Sequence, residues 1–166
     1  MTQYKSNITL LKGEEKGKII AQLKEQFNIS KIPGHLYKIG KQRIVLSTAN
    51  ITERQLRDIE TQGIIIEGFG VYVAKIDENT GEIRLSIEGS QILCNANPLS
   101  DKTNIYEIKN KEELEQWMSG SDLQIATGKK GFLIMRYRDD FLGSGKASEN
   151  KISNFIPKER RLKPKS

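Results

Sequence analysis

"GFLIMRYRDDFLGSGKAS", Gly131 to Ser148, is the stretch on which the fold turns. Phe132 to Arg138 is apolar and β-prone, the pattern of a buried strand. Asp139-Asp140 is turn chemistry, and it sends the chain back into Phe141–Ser148. The centre of that return, Gly143-Ser144-Gly145-Lys146, has the glycines of half a phosphate loop. A complete loop needs Gly-x-x-x-x-Gly-Lys-Ser/Thr, so that amides wrap the phosphates and the hydroxyl holds magnesium. Here Asp140 stands at the first glycine's place and Ala147 at the hydroxyl's. The dinucleotide fingerprint fails as well, at Ser148, and no helix signal follows to lend a dipole. The glycines therefore belong to a strand, at a bulge or where another backbone comes close.

On either side of this stretch the signals are local. "IYEIK" (Ile105–Lys109) is a short strand. "NKEELEQWMSG" (Asn110–Gly120) is a capped helix, with Asn110 as N-cap, Glu113 at the third position and Gly120 after the end. Leu114, Trp117 and Met118 share its inward face. "KISNFI" (Lys151–Ile156) is a last strand before Pro157 and a cationic segment. One helix among several short strands suggests a small β-barrel-like module.

A cluster of Asn, Pro, Ser and Asp at "NANPLSDKTN" (Asn95–Asn104) separates this half from the first. In the first half, Ile19, Ile20, Leu23 and Phe27 fall on one face of a helix from about Glu14 to Phe27. "HLYKI" and "RIVLS" form a hairpin around Gly40-Lys41. "ITERQL" opens a second helix, with Thr52 and Gln55 as a capping box, Ile51 stapled to Leu56, and Gly63 at its end. "IIIEGFGVYVAKI" is β-rich and apolar on both faces. After the turn "DENTG", the strand "EIRLSI" alternates, with Ile83, Leu85 and Ile87 on one side and Arg84, Ser86 and Glu88 on the other. The expected fold class is α+β: a helix-and-antiparallel-sheet domain over residues 1–96, then a β-barrel-like domain over 97–166.

The 166 residues suit one ordinary domain or two small ones. No apolar run is long enough to span a membrane, and one cysteine, Cys94, rules out an intramolecular disulfide. Cys94 and the lone His35 cannot make a zinc cluster, so no metal site is expected. From Gly128 onward, eleven Lys and Arg stand against four Asp and Glu, a surplus of +7. With +6 for the whole chain, the first 127 residues carry −1. A basic end on a neutral body points to a polyanion, usually nucleic acid; the bland reading is a solubilising segment. Phe155 and Ile156 lie between the cations, and Phe155 either stacks a base or packs this segment onto the barrel.

No Gly-x-Ser-x-Gly elbow, triad spacing or cofactor loop is present, so no catalytic residue and no cofactor are expected. Trp117 belongs to the core.

The order of pieces in the second half resembles a PUA domain: "IYEIK", a helix ending "MSGSDL", "GKKGFLIMRY", then "DDFLGSGKA". The chain as a whole resembles the Nip-seven family of large-ribosomal-subunit biogenesis factors. That resemblance lies in its length, "HLYKIGKQRIVLS", "GVYVAKIDENTGEIRLSIEGSQIL" and "IYEIKNKEELEQWMSG". It implies a non-catalytic protein, with a first domain for other assembly proteins and a PUA domain for pre-ribosomal RNA. The basic ending is similar to archaeal members and implies RNA contact at Lys158, Arg160, Arg161 and Lys163, and less directly at Lys146 and Lys151. A cytoplasmic monomer is expected (nucleolar in a eukaryote), with no membrane partner. "FLGSGKA" with "NFIPKERR" also resembles the PUA portion of ribosomal RNA cytosine methyltransferases. The paired catalytic cysteines and cofactor-binding sheet of those enzymes are missing, which leaves an accessory RNA-binding role as the alternative.

Overall fold

The computed structural model describes residues 7–64, 66 and 69–163. Strand β1 (Ile8–Leu10) precedes helix α1 (Gly13–Phe27), and the hairpin β2 (His35–Ile39) and β3 (Arg43–Ser47) follows. Helix α2 (Glu53–Thr61) leads to β4 (Val71–Ile76), β5 (Ile83–Leu85) and helix α3 (Ile87–Ala96). These five strands form one sheet, antiparallel throughout, in the order of the chain. The second half contains β6 (Ile105–Glu107), α4 (Lys111–Met118), β7 (Gly131–Tyr137), β8 (Asp140–Ala147) and β9 (Ile152–Ser153), then a 3-10 turn over Lys158–Arg160. Its four strands form a curled sheet, with β6 parallel to β7 and the remaining pairs antiparallel. The class is α+β, as expected.

Local chemistry accounts for most boundaries. At α2 the capping box closes: Gln55 N–H donates to Thr52 Oγ1 at 3.2 Å, and Thr52 N–H donates to Gln55 Oε1 at 2.9 Å. At α4, Glu113 N–H donates to Asn110 Oδ1 at 2.9 Å. The Glu113 carboxylate accepts from Lys109 N–H at 2.8 Å and from the Tyr106 hydroxyl. Burial and that carboxylate push the Tyr106 hydroxyl up to about 12.

Three expectations need correction. The strand expected through Ile87 stops at Leu85. Ser86 acts as an N-cap, its Oγ accepting from Gly89 N–H at 2.9 Å and donating to the Tyr72 carbonyl at 2.6 Å, and α3 begins. A Cβ on Gly89 would lie 1.9 Å from the Val73 carbonyl oxygen, so only glycine lets α3 lie this close to β4. The turn expected at Asp139-Asp140 is shifted by one residue: Tyr137 pairs with Asp140, and Arg138 takes φ +56°. The last strand covers Ile152–Ser153 alone, because Asn154 gives its N–H to the Asp122 carboxylate and its side-chain amide to the Trp117 carbonyl of α4. Of the β-rich run expected from Ile64, residues Ile65, Glu67 and Gly68 lie outside the described residues; β4 holds the part from Val71.

The halves share a core. Phe27, Leu23, Ile83 and Leu93 from the first pack with Phe132, Ile134 and Phe141 from the second. Phe27 meets Phe132 edge-on at 6.1 Å between ring centroids. A second cluster around Trp117, Leu133, Met135 and Ile152 belongs to the curled sheet. A third, Tyr37, Val45 and Leu56, lies under α2, with Ile51 packed against it. No helix among the described residues is long and apolar enough to cross a membrane.

Candidate nucleic-acid interface

The glycines of the 143–146 segment serve the backbone. Leu142 and Gly143 together oppose Met135 in a bulge, and Gly143 takes φ +81°, which glycine adopts without strain. A Cβ on Gly145 would lie 2.6 Å from Ile152 Cγ2 and 2.9 Å from Trp117 Cη2. The polar groups between them join the two halves. Leu85 N–H donates to Ser144 Oγ at 2.8 Å, and Gly143 N–H donates to Ser90 Oγ at 2.9 Å. The segment is a junction, and Lys146 extends it by pairing with Glu82 at 2.9 Å.

The cationic segment is docked along its length. Asp122 accepts from Asn154 N–H at 2.9 Å and from Lys151 Nζ at 2.9 Å; these bonds hold its carboxyl below the usual carboxylate range, the backbone donor most. Asn154 Nδ2 donates to the Trp117 and Ser121 carbonyls at 2.7 and 3.1 Å. Phe155 packs against Phe132 at 6.1 Å between ring centroids, and the Arg84 guanidinium lies over the Phe155 ring at 4.1 Å. Of the two roles expected for Phe155, packing is the one seen. Ile156 is buried in the second core, and Leu162 N–H donates to the Met118 carbonyl at 2.9 Å.

Docking sorts the expected RNA-contact residues. Lys146 and Lys151 are engaged by Glu82 and Asp122. Arg160 pairs with Glu88 on α3, and Arg161 donates through Nε to the Ile156 carbonyl at 2.9 Å while lying against Gly120. Lys158 and Lys163 are exposed and, among the described residues, form no ion pair. Lys165 lies outside the described residues.

Between this segment and the first sheet runs an open cleft of about 880 Å³. Lys158, Arg160 and Arg161 line one wall; Arg43, Lys75 and Arg84 line the other. Among the described residues, Glu88 and Glu159 are its acids, and Tyr72 and Phe155 its aromatics. Arg43 lies 5.8 Å from the Tyr72 ring centroid. Burial raises the Tyr72 hydroxyl, partly offset by Arg43 and Arg84. Sequence reasoning missed Arg43 and Lys75 and saw in Arg84 only an outward position, because their shared wall depends on strand register.

No cluster of His, Cys, Asp or Glu suited to a metal occurs among the described residues. Burial pushes the Cys94 thiol up to about 11, too high for a ready nucleophile at neutral pH.

Residues 104–162 match the family model described as the Methyltransferase RsmF PUA domain. The second half is a PUA-like domain. The match runs from β6 through the docked 3-10 turn, so the cationic segment down to Leu162 lies inside the PUA-like unit. A PUA-like domain points to RNA as the partner of this half. No curated protein matches the chain.

Proposed function

We propose that this protein is a non-catalytic RNA-binding factor of large-ribosomal-subunit biogenesis, whose PUA-like half binds precursor ribosomal RNA. The observation that carries this reading is the fixing of Lys158, Arg160 and Arg161 on one wall of an open cleft, within a PUA-like domain. A preordered cationic edge spares part of the ordering cost that a loose segment bears on binding. The resemblance to the Nip-seven family supplies the ribosomal setting and assigns the first half to other assembly proteins. It also sets the expectation of a cytoplasmic monomer.

A second reading has its own support in the description of the matched family, the PUA domain of a methyltransferase. In it the protein is the RNA-binding companion of an RNA-modifying enzyme. Calorimetry with S-adenosylmethionine tests the shared claim that this chain is not itself an enzyme, and binding heat would overturn it.

The RNA reading is tested with a fluorescent uridine oligomer over a range of salt. The Arg160→Ala/Arg161→Ala variant should bind more weakly, its salt slope flatter by about 0.7 for each phosphate it no longer neutralises. Unchanged affinity and slope would remove the 3-10 turn from the contact surface. Crosslinking in cells, followed by sequencing of the bound RNA, separates precursor ribosomal RNA from the substrates of a modifying enzyme.

A further inference from the structure

Arg43, Lys75 and Arg84 form a row across three adjacent strands. Arg43 is the register partner of Lys75 on β4, and Lys75 is the partner of Arg84 on β5. Their neighbours Ile44, Ala74, Ile83 and Leu85 point into the shared core, so the three cations stand on the opposite face. With strands about 4.8 Å apart, the row is roughly 10 Å long. Like charges directly across a ladder repel. None of the three forms an ion pair among the described residues, although the chain pairs cations with acids at several nearby positions.

The row faces the cleft, and α2 does not cover it: the apolar cluster beneath α2 lies around Tyr37 and Val45. Opposite stand Lys158, Arg160 and Arg161. Six cations against two carboxylates is a strong local excess in a first half that is nearly neutral. The Arg84 guanidinium carbon lies 4.1 Å from the Phe155 ring centroid, and both side chains line the cleft. Guanidinium planes stack unpaired bases, and Tyr72 offers a second ring in the same cleft.

We propose that a single strand of RNA runs through this cleft, its phosphates held by Arg43, Lys75 and Arg84 opposite the PUA-like wall. The RNA site is therefore bipartite, and the first half is part of the reader. The ligand is an extended strand, because the row is longer than one phosphate group and its bases must be unpaired to stack on Arg84 and Tyr72. The inference rests on the RNA reading above and adds the second wall to it.

The test compares wild type, Arg43→Ala/Lys75→Ala/Arg84→Ala and Arg43→Lys/Lys75→Arg/Arg84→Lys with the same uridine oligomer over a salt series. The alanine variant relieves repulsion within the row but loses the contacts of Arg43 with Tyr72 and of Arg84 with Phe155. Binding is therefore compared at a temperature where thermal unfolding shows all three proteins folded. The alanine variant should bind tenfold or more weakly at low salt, with a slope flatter by about 2 for three phosphates. The charge-conserving variant should keep the wild-type slope. An alanine variant that binds like a wild type that itself binds would overturn the second wall and leave the RNA reading standing. A wild type that ignores the oligomer would sink both. Uridine monophosphate that competes as well as the oligomer, molecule for molecule, would replace the strand by a mononucleotide.

Discussion

The Leu85 amide donates to Ser144 Oγ at 2.8 Å across the junction of the two halves, and Ser144 is 2% exposed. The serine of a segment that looks like part of a phosphate loop therefore terminates a β-strand of the other half. Ser144→Ala leaves a buried N–H without its partner, at a cost of about 1–3 kcal/mol. The melting temperature should fall by about 2–4 °C per kcal/mol for a chain of this size. Thermal unfolding checks this, and uridine-oligomer affinity at low temperature should match wild type.

The two glycines at positions 145 and 17 should respond in opposite directions. Gly145→Ala drives a methyl into Ile152 and Trp117 and should cost about 1–3 kcal/mol. Gly17 sits exposed inside α1 with nothing within 4 Å of a built Cβ. Gly17→Ala should stabilise by about 0.5–1 kcal/mol. Urea titrations of both variants decide the matter; equal midpoints would contradict the packing described for Gly145.

The shared core predicts the behaviour of fragments. Cut from residues 1–96, the piece 97–166 would expose Phe132, Ile134 and Phe141, which are at most 8% exposed in the whole chain. That piece should bind a hydrophobic dye and lack a sharp thermal transition. A cooperative transition as steep as that of the full chain would show that the PUA-like unit stands alone.

Acid should loosen the docked segment through Asp122, whose carboxyl is held below its ordinary value by Asn154 N–H and Lys151. Because the folded state holds this group deprotonated to lower pH than the unfolded chain, its contribution is present above the unfolded value near 3.8. It is lost as pH falls through the lower folded value. Asp122→Asn removes that titration, so its stability should vary less with pH below about 4 than wild type's. Melting curves from pH 2 to 6 compare the two, and parallel profiles would exclude Asp122 as the acid-sensitive contact.

Helices α1, α2 and α4, the β2–β3 hairpin and the class of the fold are legible in the sequence. Each rests on contacts within a few residues: the Thr52–Gln55 box, the Asn110 cap, the face formed by Ile19, Leu23 and Phe27. Helix α3 is not legible, because Ile87 continues the alternation of Ile83 and Leu85. The decision falls to the Ser86 cap and to the close approach of Gly89 to Val73, a contact between elements.

Composition and short-range spacing are enough to set the local elements, the basic C-terminal half and the failure of a nucleotide loop at Asp140 and Ala147. They give the GSGK glycines a backbone role but do not say that Ser144 joins the halves or where the cations meet, since both depend on residues far apart in the chain. Ser144 finds Leu85 from 59 residues away. Arg43, Lys75 and Arg84 become one row only when three strands take a particular register. Local alternation sets the face of Arg84, but which residues stand beside it is decided only by the pairing between strands. A shift of one residue would turn any of the three into the core.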